Sequence, residues 1–178
     1  AQVIAAYTAQ NGEPPVTDDL SEVQRRLTEA QLSSMAEVID ESQTIFNAEG
    51  VGFKGFIPAI FARLVNERFA EKMQAQARVK VTAPGNLVRN RKARPDAWED
   101  GVIEGRFRSA GWEKGAPFYE EVQLDGQSAF RMLIPEYYST SCLSCHGTPA
   151  GEMDVTGFPK EGGAEGDLAG AISITFFR

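Results

Sequence analysis

Scarcity is the first feature of this 178-residue chain: it holds two cysteines, one histidine and two tryptophans. Two cysteines are too few for a disulfide framework. With one histidine, a conventional four-ligand zinc site lacks donors, because no second Cys/His pair exists elsewhere in the chain. No stretch approaches the roughly 18 consecutive apolar residues that a bilayer span needs. Basic charge is also short, with 18 Lys and Arg against 25 Asp and Glu, for a net charge of −7. That balance argues against nucleic acid as a partner, because phosphate binding is driven by basic surface. The remaining composition, 42% hydrophobic and 24% charged, is that of a soluble globular chain able to bury one core.

The scarce residues sit together. Both cysteines and the histidine form Cys142-Leu143-Ser144-Cys145-His146, the C-x-x-C-H pattern of covalent c-type haem attachment. Random scattering of three such residues over this length would produce the pattern with a probability on the order of 10⁻⁴. The spacing has a chemical reason. Two thiols on a short turn reach the two vinyl groups along one porphyrin edge, and the next imidazole falls beneath the ring as proximal iron ligand. A redox dithiol is the main competing reading. It would need a βαβ setting and assigns no role to the histidine. The expected cofactor is therefore one covalent haem c, with Cys142 and Cys145 as attachment residues and His146 as the metal ligand.

Haem c attachment needs an export-side compartment, so a periplasmic or other extracytoplasmic location is expected. No basic segment followed by an apolar one marks a leader at Ala1. Either the leader has been removed, or the chain is a domain cut from a longer membrane-anchored protein.

Along the chain, residues 1–16 read as a lead-in, frayed or partly extended, because of Asn11-Gly12-Glu13-Pro14-Pro15. A helical part is expected over residues 17–78. Its first helix starts at Thr17 as N-cap, with a stripe of Leu20, Val23, Leu27, Ala30, Ser34, Val38 and Ile45. The second starts near Pro58, with Phe61, Leu64, Val65, Phe69 and Met73 on one side. Residues 79–178 read as the haem-binding part of the same structural domain. It has a strand over 79–82, a short helix over 96–104, and strands over 118–124 and 127–137 joined by Asp125-Gly126, a type I′ hairpin signal. A last strand covers 170–177. Helices first and an antiparallel sheet later is an α+β arrangement.

Charge is uneven: residues 78–94 contain six bases and no acid. Arg89, Arg91 or Arg94 is a candidate partner for the haem propionates, since a guanidinium fork matches a carboxylate. A solvated basic loop or a docking patch for a redox partner protein are the alternatives.

With His146 committed, bis-His and His/Cys ligation within one chain are excluded. Met35, Met73, Met132 and Met153 are possible sixth ligands, with Lys54, Tyr137 and Tyr138 as weaker ones. The other option is an open or exchangeable sixth site that takes NO, CO or O₂; the aromatic segment of residues 53–61 is a candidate wall for it and reads equally as the apolar core at a helix start.

Four segments, Phe53-Lys54-Gly55-Phe56-Ile57-Pro58-Ala59-Ile60-Phe61-Ala62, Val88-Arg89-Asn90 leading to Pro95-Asp96-Ala97-Trp98-Glu99, the Cys142-to-Gly147 stretch, and Glu165-Gly166-Asp167-Leu168-Ala169-Gly170-Ala171-Ile172-Ser173-Ile174, together resemble one family. It is the c-haem domain with a PAS-like fold first described in a cyanobacterial haem protein, which also serves as the extracytoplasmic sensor region of histidine kinases and chemoreceptors. The resemblance spans roughly residues 20–177. It implies N-terminal helices packed on a PAS-like antiparallel sheet that carries the haem. Some members use a further cysteine on the other side of the iron, and this chain has none to offer. The expected role is redox or diatomic-gas sensing, with a small electron-transfer cytochrome using Met as sixth ligand as the alternative. An enzyme ranks last, because no residue stands out as a distal acid or base. The long first helix suggests a homodimer.

Overall fold

The computed structural model describes residues 2–74 and 76–178. It is α+β. Four strands form one antiparallel sheet: β1 (Ala77–Thr82), β2 (Phe118–Leu124), β3 (Gln127–Tyr137) and β4 (Leu168–Phe177), in the order β1-β4-β3-β2. The β2–β3 hairpin turns on Asp125 and Gly126, both with positive φ (54° and 79°), as a type I′ turn requires. β4 fills the centre, pairing Thr82 with Ala171 on one side and Pro135 with Ala171 on the other.

Helices cover both faces. On one, α2 (Glu22–Glu41) and α4 (Pro58–Lys72) bury Phe69 and Met73 against Ala77, with Leu27, Ala30, Val79 and Phe176 around them. Phe130, Met132 and Ile134 share that side of β3 and are half-buried. The opposite side of β3 is the better buried one, carrying Ala129, Arg131, Leu133 and Pro135. There α5 (Ala97–Val102) and the π-helical turn Ile103–Phe107 seal Leu133 and Ala171 under Val102, Ile103 and Phe107. The wider turn presents Ile103 and Phe107 to the core together. It also extends the short helix expected over 96–104.

The N-terminal part differs from expectation in several places. Residues 2–11 form a helix, α1 (Gln2–Asn11), where a frayed or extended lead-in was expected. Its Ala and Gln content favours helix, and Gly12, at φ 84°, ends it by donating its amide to the Thr8 carbonyl. Residues 17–20 stay outside the next helix. Ser21 caps α2, its hydroxyl accepting from the Gln24 amide while the Gln24 side chain accepts from the Ser21 amide. That reciprocal box outcompetes Thr17, which has no partner three residues on. Val23 (67% exposed) and Ile45 (44%) fall off the buried stripe. A break at Ser42 sets Ile45 in a separate turn, α3 (Gln43–Phe46). Among the described residues no helix is long and apolar enough to cross a membrane.

A polar node lies under the sheet. Pro95-Asp96-Ala97-Trp98-Glu99 starts α5 with an Asp96/Glu99 capping box. Glu99, 1% exposed, also meets Lys80 Nζ at 2.5 Å and Arg131 Nη2 at 3.2 Å. Arg131 bonds Asp96 at 2.7 Å and lies over the Trp98 ring. The motif is thus a helix start and the anchor of that helix to β1 and β3.

Candidate haem site

The C-x-x-C-H stretch hangs from the end of β3. Tyr138 donates its amide to the Asp167 carbonyl and accepts from the Gly166 amide, so the chain is still tied to the approach of β4 there. A 3-10 turn (Thr140–Cys142) and a single helical turn, α6 (Leu143–His146), follow. The Gly- and Pro-rich residues 147–166 then fold back, and the Gly162 and Gly163 amides donate to the carbonyls of Gly147 and His146. Close contacts require glycine at two positions here. A Cβ on Gly163 would lie 2.6 Å from the Tyr138 ring, and one on Gly147 would lie 2.5 Å from the Leu143 carbonyl oxygen.

Both thiols are free and half-buried. The Ser139 hydroxyl lies 3.3 Å from Cys142 Sγ, and its hydrogen bond moves that thiol below its ordinary range. A lowered thiol pKa gives more of the nucleophilic thiolate.

His146 is held from two sides. The Tyr138 ring stacks on it at 5.2 Å and 24°. Its Nδ1 lies 2.8 Å from Glu161 Oε2. A carboxylate there accepts from Nδ1–H, so the neutral imidazole carries its proton on Nδ1 and its lone pair on Nε2. Burial pushes the Glu161 carboxyl up, but the hydrogen bonds from Arg89 and His146 outweigh it and the net movement is downward.

Arg89 organises the ground behind the histidine. It donates Nε to Glu161 Oε1 (2.7 Å) and Nη1 to Asp154 Oδ2 (2.6 Å), while Nη2 serves both the Cys145 carbonyl (2.8 Å) and Glu161 Oε2 (3.0 Å). Hydrogen bonding to Glu161, chiefly, raises the affinity of this guanidinium for its proton. Asp154 Oδ1 in turn accepts from the Thr156 hydroxyl and from the amides of Thr156 and Phe158. The Thr156 bond, then Arg89 and the amides, hold Asp154 well below the usual carboxylate range. Arg91 opens the 3-10 turn Arg91–Ala93 and is exposed, as is Arg94, and among the described residues neither is paired with a carboxylate. Glu161 and Asp154 were not singled out from the sequence. The only signal for them was their position as acids in a glycine-rich return loop.

Thr82, Ala171 and Pro135 stand in one row across three strands, with β4 between the end of β1 and the end of β3 that leads into residues 138–146. A cavity of about 310 Å³ runs between α4 and the edge strand β1, lined by Ala59, Glu67, Arg78, Val81, Asn90 and Lys92, among others. Of the aromatic segment, Phe56 packs between Phe46 (4.8 Å) and Phe61 (6.0 Å), while Phe53 is exposed. Lys54 donates to the Phe46 carbonyl at 2.5 Å, and the Tyr137 hydroxyl accepts from the Gly115 amide. Met73 is core, Met153 is 60% exposed, and Met35 and Met132 are half-buried.

The residues fit a c-type haem by donor chemistry: two free thiols three positions apart, and an adjacent imidazole whose Nδ1 is spent and whose Nε2 has no protein partner among the described residues. The sequence model of a family described as Tll0287-like matches residues 2–176. The chain belongs to the Tll0287-like family. A solved structure, that of the cyanobacterial heme-protein Tll0287, is similar at 19% identity and a TM-score of 0.48, over 83% of this chain and 95% of that one. No curated protein matches the chain. For this Tll0287-like chain, the match takes in α1 as well as the sheet and the return loop.

Proposed function

We propose that this chain is a haem protein carrying one haem c, bonded through Cys142 and Cys145 with His146 as proximal ligand, and that it senses redox state or a diatomic gas outside the cytoplasm. The observation that carries the reading is the orientation of His146, with Nδ1 on a fixed carboxylate and Nε2 free, on the same short turn as two free thiols. When bound, haem supplies a one-electron iron centre that also takes a sixth ligand. The chain's own residues do the positioning. Arg89 ties the Cys145 carbonyl to the return loop, Tyr138 and Glu161 fix the imidazole plane, and Ser139 primes the Cys142 thiol for attachment. Arg91 and Arg94, both exposed and without a carboxylate partner among the described residues, are the guanidiniums available to a propionate, whereas the Arg89 fork is filled by Glu161, Asp154 and the Cys145 carbonyl. The haem of the similar cyanobacterial protein accords with this reading.

The sixth site is read as exchangeable. Met73 is 4% exposed inside the core, and Met153 lies on the return loop behind the histidine, which leaves Met35 and Met132. Those two keep an electron-transfer cytochrome as the second reading, with a redox protein as partner in place of a gas. Optical spectra of the ferric, ferrous and ferrous-CO forms decide. The proposal expects the ferrous form to bind CO and the ferric form to show no far-red thioether-to-iron band. A far-red band together with indifference to CO establishes the electron carrier.

A further inference from the structure

The ground behind His146 is charged in a particular way. Two carboxylates, Glu161 and Asp154, converge on one guanidinium, Arg89, at 2.6–3.0 Å. The cluster is only 17–19% exposed at Glu161 and Arg89, and Asp154 is enclosed. Its formal charge is one negative unit. The carboxylate, not the guanidinium, touches the imidazole, and Arg89 sits beyond it with its Nη2 also given to the Cys145 carbonyl. A backbone carbonyl in that place would fix the same tautomer without bringing a net charge. Glu161 brings the charge and a stronger acceptor. A carboxylate on the far nitrogen raises the basicity of a ligating imidazole, and hydrogen bonding to axial ligands and nearby charge are among the levers that set a haem potential.

We propose that Glu161, locked by Arg89 and backed by Asp154, is a positioning residue that acts through His146 to favour ferric over ferrous iron. The proposal rests on His146 being the proximal ligand of a haem c. It assigns the return loop of residues 147–166 a second task besides closing over the motif: it delivers the acid that biases the oxidation state at which the protein rests.

Redox titration of the haem-loaded full chain tests it, comparing the parent with Glu161→Gln, which keeps the size of the side chain and removes its charge. At the parent's midpoint potential the ferrous-to-ferric ratio in the variant should rise at least tenfold, an upward shift of about 59 mV or more for one electron. Loss of packing alone does not predict that sign. Should Glu161→Gln not take up haem, Asp154→Asn serves in its place. It removes one negative charge and leaves Glu161 on the ring, so it must also move the potential upward. A haem-loaded variant with an unchanged or lower potential overturns the role of Glu161 and leaves the haem c reading standing. A parent that carries no haem overturns both.

Discussion

Gly163→Ala isolates the packing that orients the proximal histidine. The added methyl would stand 2.6 and 2.8 Å from two ring carbons of Tyr138 and 3.3 Å from the His146 carbonyl oxygen. Carbon atoms pack at about 3.5–4.0 Å, so the ring must retreat by roughly 1 Å. Tyr138 is 6% exposed, and its ring is stacked on the imidazole, so retreat disturbs the stack. Overpacking of this kind costs about 1–3 kcal/mol. For a chain of this size that is a drop in melting temperature of roughly 2–12 °C. Gly85→Ala is the control: nothing lies within 4 Å of its added carbon, and a surface change of that sort stays within about 0.5 kcal/mol. Thermal unfolding followed by circular dichroism measures both. Adding Tyr138→Leu to Gly163→Ala should recover at least about 0.5 kcal/mol relative to the sum of the single changes. A Gly163→Ala protein that melts with the control, or strictly additive changes in the pair, would refute the argument that this glycine exists to admit the tyrosine ring.

Two further perturbations address the rest of the frame. Arg131→Met strands Glu99 in a buried setting with Lys80 as its remaining cation, and should cost about 3 kcal/mol, the low end for breaking a buried pair; urea unfolding that shows under 1 kcal/mol contradicts it. Asp154 has its folded pKa depressed. Its contribution is therefore complete above the unfolded value of about 3.9 and fades as pH falls through the lower folded value. The stability gap between the parent and Asp154→Asn should be flat from pH 7 to about 5 and shrink below about pH 4; a gap that widens on acidification reverses the sign and refutes the clamp.

What was readable in the sequence is what is encoded locally. The β2–β3 hairpin has the expected limits because Asp125-Gly126 fixes its turn and register. The start of α4 follows from Pro58, whose missing amide is harmless at the first helical position. The haem motif is five consecutive residues, so its chemistry needs no fold to be recognised. The misplacements have local causes as well. Thr17 and Ser21 are both acceptable caps, and the choice fell to Gln24, three residues after Ser21. The Asn-Gly-Glu-Pro-Pro stretch is a loop signal that marks where α1 stops, and carries no information about the helix formers ahead of it. The partners of Arg89 were beyond reach for a different reason: Asp154 and Glu161 lie 65 and 72 residues away, and no periodicity links a basic loop to a glycine-rich return. Glu99 shows both limits at once. Its capping box with Asp96 is a local signal, while its burial beneath Arg131 depends on a strand 32 residues downstream.

The measurement that bears most directly on the account is the intact mass of denatured protein matured with the cytochrome c assembly machinery, for the parent and for Cys142→Ser/Cys145→Ser. The parent should carry the added mass of one haem that survives denaturation, and the double variant should lose it. A parent with the bare polypeptide mass, or a double variant that still holds the group covalently, contradicts attachment through these two sulfurs.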